Sequence, residues 1–184
     1  MDRRLFLKRG AASLSAPAAL ALASPANAAE CTAVEVVFSP HGGAEALVLK
    51  TIAGARRSIR LLAYSFTSPS VVRALLAAKK IGVDVAVTVD YKNNVEEDRS
   101  GKARAALSAL TYAGIPVRVV SAFELQHEIF YCGWRNGSDR ILQPASCLYN
   151  SENVMVLSGR VDLAQAYLSN WREVTALGED YRAT

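Results

Sequence analysis

The sequence predicts an α/β protein: a mixed, mostly parallel β-sheet with helices on both faces. Two observations predict this class, namely short β-branched runs and stretches of helical apolar spacing that alternate with them along the chain. Such alternation implies right-handed crossovers and a sheet that is covered on both sides. Of the 184 residues, 51% are apolar and 21% are charged, which is typical of one globular domain and unlike a disordered chain.

The first 28 residues have the composition of an export signal. Residues 2–9 are a basic head, residues 11–24 are rich in Ala and Leu, and Pro-Ala-Asn-Ala at 25–28 forms a small-x-small cleavage site. The head resembles the twin-arginine signal, although Asp2 stands where that pattern has Ser or Thr; an ordinary secretory signal is the alternative. We therefore assign residues 1–28 to a cleaved signal peptide and residues 29–184 to one exported domain, either periplasmic or secreted.

The leader accounts for most of the net positive charge. It contains four of the 21 basic residues and one of the 17 acidic residues, which leaves 17 basic and 16 acidic residues in the domain. This balance excludes a whole-molecule field for capturing nucleic acid and leaves a local basic patch as the alternative. No apolar run reaches the ~18 residues that a membrane span needs. Three cysteines do not make a disulfide scaffold.

The domain begins with a regular succession of strands and helices. Pro69 stands at the first helical position, where proline is tolerated, and Gly82 and Gly114 end two of the helices. The predicted elements are a strand at 34–38, a helix at 44–56, a strand at 59–66, a helix from 69 to Gly82, a strand at 83–89, a polar loop at 90–100, a helix at 102–113 and a strand at 116–120.

Five segments carry a resemblance to a known family. They are residues 38–43, 59–69, 79–85, 113–117 and 150–154. Taken in order, they resemble the small, secreted, EDTA-resistant endonucleases of the phospholipase D superfamily, over residues 34–182. The resemblance implies phosphodiester hydrolysis without metal or cofactor: one motif histidine attacks phosphorus to form a phosphohistidine, and a second histidine protonates the leaving group.

The family motif is His-x-Lys-(x4)-Asp followed by Gly-Ser-x-Asn, and this chain matches it in part. The resemblance assigns His127 as the nucleophile or acid, and Glu152 as the acceptor for its other ring nitrogen. The motif positions for lysine and aspartate hold Ile129 and Trp134, and the Gly-Ser-x-Asn stretch is missing. Because one motif supplies one histidine, the resemblance also implies a homodimer.

The genetic code offers an explanation for this departure. The codons allowed for residues 128–143, read from their second bases, permit a stretch with lysine, then aspartate after a gap of four, then Gly-Ser-Phe-Asn. We interpret residues 128–149 as out of frame, through a real lesion or a sequencing error. Three residues would then result only from translation in the wrong reading frame and would have no functional role: Cys132, Trp134 and Cys147. We expect the paired strands of this region to be interrupted by Gly133, Gly137 and Pro144.

The remaining candidate groups have structural interpretations. A lone histidine beside Gln126 and Glu128 is usually a satisfied surface side chain, so the catalytic assignment of His127 depends on the resemblance. His41 follows a strand in a turn and is interpreted as structural. Two histidines and three scattered cysteines make no metal-ligand pattern. Cys31 can form a disulfide after export, with a partner that the sequence does not name.

Three functional interpretations follow. The first is a phosphodiesterase acting on nucleic acid, impaired in the chain as written. The second is a phospholipase D that acts in lipid degradation on phosphatidylcholine-type lipids. It ranks lower because the sequence contains no exposed amphipathic or aromatic segment for membrane docking. The third is a catalytically inactive remnant of such an enzyme.

The exported protein is expected to begin at or within a few residues of Ala29, because the small-x-small site ends at Ala28. N-terminal sequencing of protein from the periplasm or the medium measures this. An exported chain that retained Met1 would contradict the assignment of residues 1–28.

Overall fold

The computed structural model describes residues 33–38, 43–122, 129–133, 140–144 and 153–183. These ranges form eight strands, four α-helices and one π-helical turn. In chain order they are β1 Ala33–Phe38, α1 Ala44–Gly54, β2 Ser58–Ala63, α2 Pro69–Lys80, β3 Asp84–Asp90, the π-helical turn Lys92–Glu96, α3 Lys102–Tyr112, β4 Val117–Val120, β5 Ile129–Gly133, β6 Arg140–Pro144, β7 Asn153–Ser158, α4 Val161–Ala176 and β8 Glu179–Asp180.

The described strands form one mixed sheet in the order β1-β7-β6-β5-β2-β3-β4-β8. The predicted α/β class with a mixed sheet is confirmed. Five of these strands run in the same direction, but only β2–β3 and β3–β4 are parallel neighbours, and the other five pairs are antiparallel. The parallel part is therefore smaller than predicted. The connections at 134–139 and 145–152 are shorter than the dozen or so residues that a parallel crossover needs.

Helices cover both faces of the sheet, as predicted. On one face α1, α2 and α3 pack against alternate residues of β2 and β3, so that Leu75, Leu107 and Leu110 are fully buried. The three strand residues Val85, Val87 and Val89 face this same core. The residues of β3 that alternate with these valines are buried on the opposite face, so the strand is buried from Val85 to its end. Burial on both faces is typical of parallel strands that are covered on both sides.

Helix α4 packs on the opposite face and is fixed there by polar contacts. The hydroxyl groups of Thr88 in β3 and Thr175 in α4 lie 2.7 Å apart in a hydrogen bond. Trp171 donates from Nε1 to the carbonyl oxygen of Leu61 at 3.1 Å. Its ring also lies beneath the guanidinium group of Arg60, 5.3 Å from the ring centroid. These contacts set the position of α4 over the middle of β2 and β3.

Strands β5 and β6 correct one expectation from the sequence. Gly133 pairs with Ser58 at the end of β5, and Pro144 pairs with Val154 at the end of β6. Neither residue interrupts its ladder, because both stand at strand ends, where glycine and proline disturb a sheet least. The run Ile-Phe-Tyr-Cys at 129–132 has high strand propensity as written. Gly137 lies outside the described residues.

Within the described part of the chain, no helix is both long and apolar enough to cross a membrane.

Candidate active site

At one edge of the sheet, strands of one direction end and strands of the opposite direction begin. The parallel strands β2, β3 and β4 all end at this edge. Strand β5 begins there, since its first residue, Ile129, pairs with Leu62 near the end of β2. Strand β7 begins there as well, since Asn153 pairs with Phe38 at the end of β1. In open α/β sheets, ligands bind outside the carboxyl ends of the parallel strands. We call this region the carboxyl edge.

The two predicted catalytic residues both precede strands that begin at the carboxyl edge. His127 comes two residues before β5, and Glu152 comes immediately before β7. Both residues lie outside the described part of the structure, as do His41, Cys31 and Cys147. With β6 between them, β5 and β7 are about 10 Å apart at two strand spacings. The topology thus places the first residues of β5 and β7 at one edge, although His127 and Glu152 are 25 residues apart in the sequence.

Asn94 joins the ends of β2 and β3 at the carboxyl edge. Its side chain is fully buried. The amide nitrogen Nδ2 donates to the carbonyl oxygens of Tyr64 at 2.7 Å and Asp90 at 2.8 Å, and Oδ1 accepts from the backbone N–H of Phe66 at 2.7 Å. These contacts satisfy backbone groups just beyond the last pair of the β2–β3 ladder, Ala63 and Val89.

The carboxylate of Asp90 organises the turn that carries Asn94. Asp90 is buried, and its Oδ1 accepts from both the backbone N–H and the side-chain Nδ2 of Asn93 at 2.8 Å each. The turn closes with a hydrogen bond of 2.7 Å from the N–H of Glu97 to the carbonyl of Lys92. π-helical turns are rare and occur frequently at functional sites.

A second buried carboxylate, Asp98, fixes the start of α3. Its Oδ2 accepts from the backbone N–H of Arg104 at 2.9 Å, and its Oδ1 accepts from the hydroxyl of Ser100 at 2.9 Å. The backbone N–H of Arg104, followed by Ser100 and the Arg104 charge, lowers the pKa of Asp98 below its ordinary value of 3.8, against the opposing effect of burial. The Arg104 guanidinium donates to the carbonyls of Val95 and Asp98 at 3.0 and 2.8 Å.

The sequence predicted a plain polar loop at 90–100, and the structure corrects this. The segment is an ordered turn with three buried polar side chains: Asp90, Asn94 and Asp98. Sequence reasoning missed them because a polar run without apolar periodicity is typical of a loop. The available signal was the pair Asn93 and Asn94, three and four residues beyond the end of a buried strand, where side-chain amides can substitute for backbone partners.

The described residues contain no group of three or more His, Cys, Asp or Glu side chains that could hold a metal ion. The aromatic side chains nearest the strand ends, Tyr64 and Tyr91, are both exposed. Lys92 lies 3.9 Å from Glu97, so the surface of the turn carries charges of both signs.

Comparisons with known proteins agree with this architecture. The family model for the cardiolipin synthase, PLD-like domain matches residues 48–136. Nuc from Salmonella typhimurium, a phospholipase D family member, is 35% identical with a TM-score of 0.73, over 82% of this chain and 99% of that chain. NucT from Helicobacter pylori is 14% identical with a TM-score of 0.68, over 82% of this chain and 99% of that one.

The phosphatidylserine synthase of Haemophilus influenzae is 11% identical with a TM-score of 0.61, over 84% of this chain and 41% of the synthase. This likeness, like that to NucT, concerns the fold alone. Among curated proteins the chain has no match. The identity to Nuc, which the chain covers almost completely, places this chain in the phospholipase D family, and the resemblance found in the sequence is confirmed.

Replacing Asp98 by asparagine is expected to destabilise the protein at pH 7, because the ionised carboxylate accepts the hydrogen bonds that fix α3. The folded-state pKa of Asp98 is depressed, so its contribution is full above the unfolded value of 3.8 and is lost as pH falls through the folded value. Urea unfolding of both proteins from pH 7 to pH 3 measures this. The difference in unfolding free energy should be constant above about pH 5 and shrink below pH 3.8. A difference independent of pH would contradict this role.

Proposed function

We propose that this protein is a phosphodiesterase of the phospholipase D type that cleaves nucleic acid at the carboxyl edge without a metal ion. The observation that carries the proposal is topological: His127 and Glu152 precede β5 and β7 in the sequence, and both of these strands begin at this edge, as β8 also does. Family membership supports the reaction class. The resemblance of five sequence segments to the small endonucleases of the superfamily favours nucleic acid over lipid as the substrate.

The proposed reaction has two steps. In the first, an imidazole nitrogen of His127 attacks phosphorus, the bond to the leaving oxygen breaks, and a second histidine donates a proton to that oxygen. In the second, this histidine takes a proton from water, the resulting hydroxide attacks the phosphohistidine, and His127 is released. Glu152 accepts a hydrogen bond from the other ring nitrogen of His127, which fixes the tautomer and stabilises its positive charge.

The second histidine is supplied by a second copy of the chain in this proposal. The exposed side chains of β1 support association. Val34, Val36 and Phe38 alternate along the strand, so they share one face of the sheet, and Phe38 is 64% exposed at the carboxyl edge itself. An exposed apolar stripe of this kind is typical of a surface that binds another protein chain. Docking two stripes about a two-fold axis parallel to β1 would bring the two carboxyl edges to the same end of the dimer.

The chain as written lacks groups that the reaction needs. Ile129 and Trp134 stand at the lysine and aspartate positions of the family motif, and neither side chain offers a cation or a carboxylate. The five-coordinate transition state carries additional negative charge, which the missing donors would stabilise. We therefore expect attack by His127 to remain possible and to be slow.

The substrate is tested by two assays run in EDTA. Nicking of plasmid DNA without hydrolysis of phosphatidylcholine supports the nuclease. The reverse result would assign the chain to the lipid alternative, and silence in both would assign it to the inactive remnant. His127→Ala is the blank in each assay.

Replacing residues 128–149 by the shifted-frame sequence is expected to raise the rate of phosphodiester hydrolysis by at least ~10²-fold. Loss of one donor to a transition-state anion typically costs ~10²–10³ in rate, and several are absent here. The measurement is hydrolysis of an activated phosphodiester in EDTA, with His127→Ala in both backgrounds as the blank. Equal rates for the two chains would refute both the frame interpretation and the assignment of the missing motif groups to transition-state stabilisation.

Val36→Asp is expected to convert the protein to monomers and to abolish hydrolysis above the blank, because a carboxylate would be buried in the apolar stripe. Ile81→Asp is the matched control, since Ile81 is 67% exposed after α2 and away from β1. Sedimentation velocity and the activated phosphodiester assay report assembly and rate. If the protein is shown to be a monomer and its activity stays proportional to its concentration on dilution, the proposed dimer is contradicted.

A further inference from the structure

We propose that Asn94 is a positioning residue for the reaction at the carboxyl edge. Its side-chain amide holds the ends of β2 and β3 in the relative arrangement that the reaction requires. This inference rests on the proposed function, and it assigns to the π-helical turn a role that the catalytic motif does not contain.

The hydrogen bonds of Asn94 continue the sheet beyond its last backbone pair. The β2–β3 ladder ends at Ala63 and Val89, so the next residues in register are Tyr64 and Asp90. Nδ2 of Asn94 donates one proton to each of their carbonyl oxygens, at 2.7 and 2.8 Å. An amide nitrogen has two protons in one plane, so both are used and the spacing of the two carbonyls is set by the amide geometry.

The third contact extends this control to the following turn. Oδ1 of Asn94 accepts from the backbone N–H of Phe66 at 2.7 Å. Phe66 is buried in the core beneath α1, α2 and α3. The segment from Tyr64 to Phe66 is therefore held at one end by the apolar core and along its length by the Asn94 amide.

The amide is itself held in place from two sides. The π-helical turn Lys92–Glu96 presents Asn94 directly after β3, and the buried carboxylate of Asp90 fixes the preceding residue, Asn93, through two bonds of 2.8 Å. Asn94 is 0% exposed, so removal of its side chain leaves two carbonyl oxygens and one backbone N–H at a buried site without the partner that they have now.

The location of these contacts links them to the reaction. Leu62, two residues before Tyr64, pairs with Ile129, the first residue of β5, and His127 precedes Ile129 by two residues in the sequence. A shift in the end of β2 therefore changes the support for the strand that follows the proposed nucleophile. Misplacement of a reacting group by about 1 Å can cost ~10²-fold in rate.

The test compares Asn94→Ala and Asn94→Asp with Thr175→Val in the full chain. The Asp variant keeps the shape of the side chain and removes both N–H donors. The control removes a partly buried hydrogen bond, Thr88 to Thr175 at 2.7 Å, on the α4 face. Single-turnover hydrolysis of an activated phosphodiester in EDTA, below the unfolding temperature of every variant, gives the rate at saturation and the half-saturating concentration.

The expected result is a fall of ~10²-fold in the saturating rate for both Asn94 variants, with half-saturation changed by less than about twofold. Thr175→Val should change neither quantity by more than about twofold. Amide hydrogen exchange of residues 64–66 should accelerate at least about tenfold in Asn94→Ala and stay unchanged in the control. Asn94 variants with the wild-type saturating rate, or with unchanged exchange at 64–66, would overturn the inference.

These outcomes separate the inference from the proposed function. A wild-type rate equal to that of His127→Ala would reject the proposed function and the catalytic part of this inference with it. The exchange measurement does not depend on activity. If the protein is inactive, the exchange measurement still decides whether Asn94 holds the ends of β2 and β3. Unchanged exchange at residues 64–66 would then reject the structural part of the inference as well.

Discussion

Burial of strand β3 on both faces is the constraint on which the rest of the structure depends. Six consecutive residues, Val85 to Asp90, are buried between the α1–α3 layer and α4. A strand enclosed in this way offers no surface along its length for binding or chemistry. The ends of the strand are where groups can be presented for binding, and the antiparallel strands β5 and β7 both begin at its carboxyl end. The packing of the sheet is therefore consistent with the proposed position of the site.

The end of a buried strand creates a second requirement, because its backbone polar groups need partners. A buried donor or acceptor without a partner costs about 1–3 kcal/mol. Asn94 meets this requirement for Tyr64, Phe66 and Asp90, and Asp98 does so for the first turn of α3. The segment between β3 and α3 is consequently an ordered part of the carboxyl edge, and its order depends on side chains instead of a backbone ladder.

The main core and the proposed chemistry are assigned to different residues. Among the described residues, the main core is formed by apolar residues of β2, β3 and the helices α1 to α3, whereas the motif positions 127, 129, 134 and 152 are assigned from the sequence alone. Strand β5 needs only strand propensity, which the run Ile-Phe-Tyr-Cys provides without the lysine of the family motif. This chain therefore has the phospholipase D fold together with Ile129 and Trp134 at two positions where the family motif has lysine and aspartate. Possession of the fold does not by itself establish activity.

The sequence by itself determined the strands and α-helices from β1 to β4 to within about three residues at each end, because their apolar periodicity and the Pro and Gly boundaries are local signals. It did not predict the π-helical turn Lys92–Glu96 among them. It also determined the family. Only the tertiary structure decided that β5 lies between β2 and β6, that α4 covers the opposite face, and that Asn94 joins two strand ends. The physical reason is that strand order and buried side-chain hydrogen bonds depend on contacts between residues far apart in the chain, whereas periodicity and capping report only on neighbours.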